Sequence, residues 1–213
     1  MVASFEWSTF ALIATAIGTL VLALATFAAT RSSNRSARVA EQALSTRIRP
    51  LLLATRIQDP PEKVMWMDQH FARVEGGRGV LEGDGDVIYL AGTVRNVGTG
   101  LAILQGWYVH SEWGDGGPGD PVAPEQFRRL TRDLYIAPGD IGFWQGAIRD
   151  FDDVDRARVQ ALVSLPVRFA VDLLYGDQEG GQRTITRFGF TPYNSTWLCS
   201  TSRHWFLDRA DPR

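Results

Sequence analysis

The chain has 213 residues, of which 45% are hydrophobic and 22% are charged, and its 22 basic and 24 acidic side chains leave a net charge of −2. A near-neutral charge argues against a strongly basic nucleic-acid-binding protein, so we expect no nucleic-acid partner. The lone cysteine, Cys199, excludes a disulfide scaffold and a multi-cysteine metal site. The aromatic content of 11% argues against intrinsic disorder.

The first predicted element is a membrane-spanning helix over residues 7–30, preceded by a short tail of residues 1–6. No charge lies between Trp7 and Thr30, and about 20 apolar helical residues cover the hydrocarbon core of a bilayer. A cleavable signal peptide is one alternative, since Ala23–Ala25 resembles a cleavage site, and a buried core helix is another. The leader lacks a basic residue and the apolar run is long for a signal peptide, so a bilayer anchor is favoured.

The charges that flank this helix predict its orientation. Glu6 is the only charged residue before it, whereas five arginines follow between Arg31 and Arg49 against one acid, Glu41. Because basic flanks tend to stay in the cytoplasm, we expect the N-terminus outside and residues 51–213 in the cytoplasm. Only one of the 22 basic residues is a lysine, which indicates a GC-rich bacterial genome and hence a bacterial plasma membrane.

Small side chains recur every four positions along one face of the predicted anchor, at Ala11, Thr15, Thr19 and Ala23. Such a face allows two membrane helices to approach closely. A homo-oligomer through the anchor is therefore an alternative to a monomer.

Residues 31–50 are predicted to continue as a basic juxtamembrane helix. Helical spacing places four of its small or apolar residues on one face, namely Ala37, Ala40, Leu44 and Ile48. Pro50 ends this helix, because the residue before a proline is disfavoured in helical geometry.

Residues 51–213 change to the alternating pattern of a β domain. We predict strands, in chain order, at 51–57, 64–74 (or an irregular segment there), 86–97, 101–111, 134–136, 142–148, 167–175 and 183–190, with one or two last strands at 197–200 and 205–207. One face of the predicted strand 101–111 is expected to carry Leu101, Ile103, Trp107 and Val109. A short helix is expected over 154–163, capped by Asp152 or Asp153. Seven to nine short strands without βαβ alternation predict a mainly β fold, an antiparallel β-sandwich.

Two turns carry a family resemblance. The segment Asn96–Ala102 resembles the N-x-G-x-G-x-A turn of bacterial Ig-like sandwiches, and Tyr175–Thr184 resembles the Y-x-D…G…T hairpin that often follows it. The chain is thus similar to small uncharacterised bacterial single-pass membrane proteins with a cytoplasmic Ig-like β-sandwich domain. The resemblance implies structural roles and no activity for five turn residues, Asn96, Gly98, Gly100, Asp177 and Gly180. Their glycines are expected to adopt positive φ.

A search for chemistry finds no catalytic, cofactor-binding or metal-binding motif. The chain lacks a G-x-S-x-G elbow, a phosphate-binding loop and an H-E-x-x-H helix. Its histidines, His70, His110 and His204, have no ligand spacing. The acidic run 150–155 contains no glycine for a calcium loop, and Cys199 is expected to be buried and structural. We therefore predict no enzyme, no cofactor and no metal.

Six tryptophans in the β domain are more than its core requires. Trp107 and Trp144 lie in apolar strands and are expected in the core. Trp113 stands beside a glycine-rich loop and is the first candidate for an exposed interaction surface, together with Trp66 and Trp205.

The sequence favours a membrane-tethered, non-enzymatic interaction or accessory module that binds a protein partner at the cytoplasmic face. The alternative is a ligand-sensing β-sandwich domain that binds a small molecule, and a hydrolase with a convergent site is a third hypothesis. An exposed apolar patch or open strand edge would favour the first, and a cavity with convergent polar groups would favour the second.

Overall fold

The computed structural model describes residues 3–110 and 119–209, with the side chains of all of these except residues 3–6, 42–47 and 131. The chain divides into two compact units, Met1–Arg47 and Ile48–Arg213. The first unit is a single helix, and the second is a β domain.

The helix α1 runs without interruption through Ala3–Arg47. Within it, Trp7–Glu41 is long and apolar enough to cross a membrane, with a mean hydropathy of 2.2 in its apolar window, and none of that window is buried. The hydroxyls of Thr15, Thr19 and Thr26 each donate to the carbonyl four residues earlier at 2.8 Å. Their polar groups are therefore satisfied within the helix, as a membrane span requires.

The β domain contains eleven strands and one short helix among the described residues. In chain order they are β1 Leu52–Ala54, β2 Glu62–Met65, β3 Phe71–Val74, β4 Arg78–Asp84, β5 Val87–Asn96, β6 Ala102–His110, β7 Arg128–Ile136, β8 Ile141–Ile148, α2 Arg156–Ser164, β9 Phe169–Gly176, β10 Arg183–Tyr193 and β11 Thr196–Phe206. A single 3-10 turn, Pro124–Gln126, precedes β7.

Nine strands form one antiparallel sheet. Eight of them follow the order β1-β5-β4-β11-β10-β9-β6-β7, and the ninth, β8, also pairs with β5. The hairpin β2–β3 forms a separate two-stranded sheet. The predicted mainly β, antiparallel fold preceded by an apolar N-terminal helix is thus confirmed. The Ig-like strand connectivity stays a prediction.

The large sheet folds over a core that joins its two halves. Trp144 of β8 lies 6.5 Å from Trp107 of β6 and 6.1 Å from Phe190 of β10, measured between ring centroids. The halves meet at a short β4–β11 pairing that includes Gly79 opposite Trp197. A Cβ at Gly79 would lie 2.4 Å from the Phe190 ring, so only glycine fits at this corner. The two halves of this one sheet therefore pack against each other as the two layers of a sandwich do.

Strand β9 is buried on both faces. Phe169, Val171, Leu173 and Tyr175 belong to the main core, as their alternation predicts. The outer face is covered as well, because Leu174 packs with Phe127, Ile185 and Trp205 in a second cluster. The segment before β7 closes over this outer face through Phe127.

Several predicted elements differ in detail. The predicted strand 64–74 is a hairpin, β2–β3, and the polar, glycine-containing strand β4 was not predicted. The predicted face of β6 is wrong for Leu101 and Ile103, which are half-buried, whereas Ala102 and Leu104 are buried. A register shift at Gln105 is the reason, because one extra residue moves the following side chains to the opposite face.

The helix α2 begins at Arg156, and its N-cap residue, Asp155, makes no side-chain capping bond. The N-cap is thus neither Asp152 nor Asp153, the two residues that were expected to cap α2. Asp153 forms an ion pair with Arg128 of β7, and Asp155 accepts a second bond from the same guanidinium at 2.6 Å. A long-range charge pair thus competes with local capping for these carboxylates.

Candidate functional site

The segment that follows α1 is held by the turn after β5. We call residues 48–51 the junction segment. The Thr99 N–H donates to the Arg49 carbonyl at 3.1 Å, and the Val97 N–H donates to the Leu51 carbonyl at 2.8 Å. In return, the Leu51 N–H donates to Asn96 Oδ1 at 3.2 Å. The predicted N-x-G-x-G turn therefore holds the junction segment by hydrogen bonds at the start of the β domain.

Asn96 uses its whole side-chain amide in this turn. Its Oδ1 also accepts from the Gly98 N–H at 3.0 Å, and its Nδ2 donates to the carbonyls of Gly100 at 2.7 Å and Ile136 at 3.0 Å. The residue is fully buried. Both lone pairs and both N–H groups of the amide are thus paired without water, which only an asparagine or a longer glutamine could provide.

The glycines of this turn serve close approach. A Cβ at Gly100 would lie 1.6 Å from the Ile48 carbonyl oxygen, and one at Gly98 would lie 2.3 Å from the Arg49 carbonyl oxygen. Neither glycine has positive φ, so the expectation of left-handed backbone is wrong for both. Any side chain at either position would push the junction segment away.

Arg49 ties the junction segment to the end of β11. Its guanidinium makes two bonds to the Asp208 carboxylate, one of 2.9 Å, and stands 4.5 Å from the Phe206 ring centroid. Partial burial opposes ionisation of Asp208, but the hydrogen bonds from Arg49 prevail and lower the pKa of this carboxyl. The two ends of the β domain are therefore joined beside the point where α1 leads into it.

The second predicted turn closes the β9–β10 hairpin. The Gln182 N–H donates to Asp177 Oδ1 at 3.2 Å, and the Gly180 N–H donates to the Asp177 carbonyl at 3.3 Å. Gly180 has a φ of 71°, which a side chain would strain. Both residues serve the backbone of a turn.

Of the predicted interaction surface, Trp113 lies outside the described residues, and the other two tryptophans are buried. Trp66 donates its Nε1–H to the Gly146 carbonyl at 2.9 Å and packs against Tyr89. Trp205 lies under the guanidinium groups of Arg187 and Arg203. The prediction that Trp66 and Trp205 are exposed for a partner is therefore wrong, because β5 and β8 cover Trp66 and the arginines of β10 and β11 cover Trp205.

A cluster of exposed apolar side chains lies instead on the hairpin β2–β3. Met65 and Phe71 face each other across the strands and are 55% and 54% exposed, and Met67 in the turn is 78% exposed. Two pairs further along the strands, on the same face, are Lys63 and Arg73. We call these five residues the hairpin face. The sequence signal was present, because Met65 and Met67 alternate with the buried Val64 and Trp66.

The hairpin is fixed to the large sheet by a polar cluster. Tyr89 of β5 donates its hydroxyl to Asp68 at 2.7 Å, and Arg149 donates to the same carboxylate at 2.8 Å. Burial and the neighbouring Asp68 together raise the pKa of Tyr89 to about 12. His70 stacks on the Tyr89 ring at 3.8 Å and bonds Glu82 at 2.7 Å. The hairpin face is therefore presented on a rigid support.

A buried ionic cluster connects β6, β9 and β10. Arg187 donates to both carboxylate oxygens of Asp172, at 2.6 and 2.8 Å, and His110 Nε2 lies 2.9 Å from Oδ2 of the same group. Asp172 is fully buried and Arg187 is 5% exposed. Among the described side chains, none with a nucleophilic hydroxyl, thiol or amine bonds His110. The cluster is thus a charge-neutralised pair inside the fold.

Metal and thiol chemistry find little support in the described part of the chain. Within it, no group of three or more histidine, cysteine, aspartate or glutamate residues is placed to hold a metal ion. Cys199 is buried in the main core, as expected, and burial raises the pKa of its thiol. A neutral, enclosed thiol is a poor nucleophile.

The geometry defines a class of protein: among the described residues, one apolar helix that can span a bilayer is followed along the chain by an antiparallel β domain. No protein family, curated protein or solved structure matches the chain. Function is therefore inferred from the geometry alone.

Proposed function

We propose that the protein is a membrane-tethered, non-enzymatic interaction module whose β domain binds a protein partner at the cytoplasmic face of a bacterial plasma membrane. The observation that carries this proposal is the hairpin face, an apolar surface held outward on a rigid hairpin of a chain that has its own apolar helix. Exposed apolar side chains that cluster on a folded domain mark interaction sites.

The tether follows from α1. Its apolar stretch is exposed over the whole candidate span, and lipid is the environment that suits it. Arg31, Arg35 and Arg38 follow this stretch on the same helix. Their charge supports a cytoplasmic β domain. Self-association through the small residues of α1 stays a prediction.

The side chains of the hairpin face are suited to packing against the surface of a protein partner. Methionine side chains are unbranched and polarisable, so Met65 and Met67 can adapt to an irregular apolar partner. Lys63 and Arg73 are both exposed beside them, although Arg73 also bonds Glu75 at 3.0 Å. We therefore expect a partner with an apolar patch bordered by acidic side chains.

The absence of catalysis is part of the proposal. One of the charged clusters described above, the Asp172–Arg187 pair, is neutralised internally, and in the other both carboxylates, Asp153 and Asp155, are held by Arg128. Charges that neutralise each other in a fixed geometry are suited to stability and poorly suited to proton transfer.

The orientation of the helix can be tested with an introduced cysteine, since Cys199 is buried and its thiol has a raised pKa. We expect Glu179→Cys, in the exposed turn of the β9–β10 hairpin, to react with a membrane-impermeant maleimide only after the cells are permeabilised. Ser4→Cys, before the apolar helix, is the matched control and should react in intact cells. Labelling of Glu179→Cys in intact cells would reverse the proposed orientation.

The partner surface can be tested by site-specific photo-crosslinking in living cells. We expect a photo-reactive residue at Met67 or Phe71 to give a discrete crosslinked product, because these side chains are exposed and rigidly presented. The control is the same residue at Gln178, which is exposed on a different hairpin. Equal products from positions 67 and 178, or none from the hairpin face, would contradict the proposal, and a product of twice the chain mass would indicate self-association instead.

A further inference from the structure

A trough of about 440 Å³ crosses the outer face of the large sheet at strands β7, β6, β9 and β10. Its origin is an irregular pairing of β7 with β6. Leu104 pairs with Leu134 and Gly106 pairs with Arg129, so four residues of β7, 130–133, stand opposite the single residue Gln105. The excess of residues pushes β7 away from its neighbour, and the trough opens in the space between them.

The floor of the trough is apolar and closed. Leu174 and Phe127 are buried within it, and Leu130 is half-buried. The Gln105 side chain lies across β9, where a Cβ at Gly176 would be 2.9 Å from its Nε2. The volume falls within the range of about 300–1,000 Å³ that is usual for small-molecule sites.

The charged groups of the trough are divided between its two ends. Glu125, Arg129 and Asp133 stand at the β7 end and together carry a net charge of −1. Arg183 stands at the β10 end, with no acidic residue among the lining side chains there. Within the described part of the chain, the side chains of Glu125, Arg129 and Arg183 make no hydrogen bond or ion pair, and the Asp133 carboxylate accepts one bond, from the Tyr135 hydroxyl at 3.1 Å. The ends are thus of opposite charge.

The separation of these ends limits the length of a ligand. Asp133 on β7 and Arg183 on β10 are three strand positions apart, since β6 and β9 lie between them. At about 4.8 Å per strand this is roughly 14 Å. An extended peptide spans about 3.3–3.6 Å per residue, so roughly four residues cover the distance.

We propose that the trough binds a short apolar peptide with free termini, with its ammonium group at Glu125 and Asp133 and its carboxylate at Arg183. Apolar side chains of the peptide lie on Leu174 and Phe127. The site goes beyond the proposed partner surface, because it shares no residue with the hairpin face and takes a small ligand rather than a protein.

The test uses the full chain in lipid nanodiscs and the tetrapeptide Ala-Leu-Leu-Ala, with binding measured by saturation-transfer NMR. We expect the free peptide to bind, and its C-terminal amide and its N-acetyl form each to bind roughly tenfold more weakly, because each cap removes a charge-assisted contact. These comparisons need no variant and so do not depend on any variant folding. Equal binding of the free and capped peptides, or no binding of the free peptide, would overturn the proposal.

Variants then assign the ends. Arg183→Gln should weaken the free peptide roughly tenfold but leave the binding of the amide unchanged, since the amide has already lost that contact. Glu125→Gln combined with Asp133→Asn should do the same for the N-acetyl form. Arg158→Gln, on the exposed face of α2, is the matched control and should bind as the wild type does. An Arg183→Gln variant that weakens the free peptide and the amide equally would place the carboxylate elsewhere and overturn the assignment, whatever the result of crosslinking at the hairpin face.

Discussion

Replacing Asn96 with alanine is expected to lower the free energy of unfolding of the β domain by about 4 kcal/mol, because it leaves buried N–H and C=O groups without partners. The side chain bonds Leu51, Gly98, Gly100 and Ile136, and all of these bonds are lost at once. For a domain of this size the change corresponds to a fall in Tm of roughly 8–16 °C. Thermal unfolding of the full chain, followed by tryptophan fluorescence, measures it.

Two further variants make this prediction specific. Asn96→Asp keeps the acceptor oxygen but turns a second oxygen toward the carbonyls of Gly100 and Ile136, so its loss should equal or exceed that of the alanine variant. Gln126→Ala changes an exposed polar residue and should stay within about 0.5 kcal/mol of the wild type. If Asn96→Ala matched Gln126→Ala, the junction segment would not depend on this side chain.

Replacing Asp172 with alanine should cost about 3–5 kcal/mol, because it leaves the guanidinium of Arg187 buried without its counter-charge. Arg187 is only 5% exposed, so water cannot readily replace the carboxylate. Equilibrium urea unfolding of the full chain measures the change through the midpoint and the slope of the transition.

The companion double variant separates the charge pair from the packing around it. Asp172→Leu combined with Arg187→Met removes both charges together and should recover most of the lost stability. The control is Glu75→Ala, which breaks the exposed pair with Arg73 and should cost no more than about 1 kcal/mol. If the double variant lost as much as the sum of the two single variants, desolvated charge would not be the source of the effect.

Several features could be predicted because they depend on neighbouring residues. The uncharged run before Arg31 indicates a helix for lipid, and the chain forms that helix, with Thr15, Thr19 and Thr26 each bonded to its backbone. The alternation from Val167 to Tyr175 predicts β9 and its core face. The pattern Asn96–Gly100 predicts a turn, although close approach to the junction segment, and not positive φ, is what requires its glycines.

Other features could not be predicted because they depend on register. The single shift at Gln105 reverses the face of Leu101 and Ile103, and no local pattern marks it. The same irregularity opens the trough, whose ends come from strands far apart in the chain. Trp66 and Trp205 are of a residue type that often anchors a partner, but other elements of the fold cover them.

Composition along the chain is therefore enough for the anchor, the basic flank and the mainly β domain, since these follow from hydrophobicity and backbone preference over short windows. The contacts that give the domain its character join distant residues: Arg49 bonds Asp208, which is 159 positions away, and the partners of Asn96 include Ile136. Such pairs form only when the sheet has closed over its core, because loop closure brings together side chains that no local window contains. The charged trough arises at that stage of the fold.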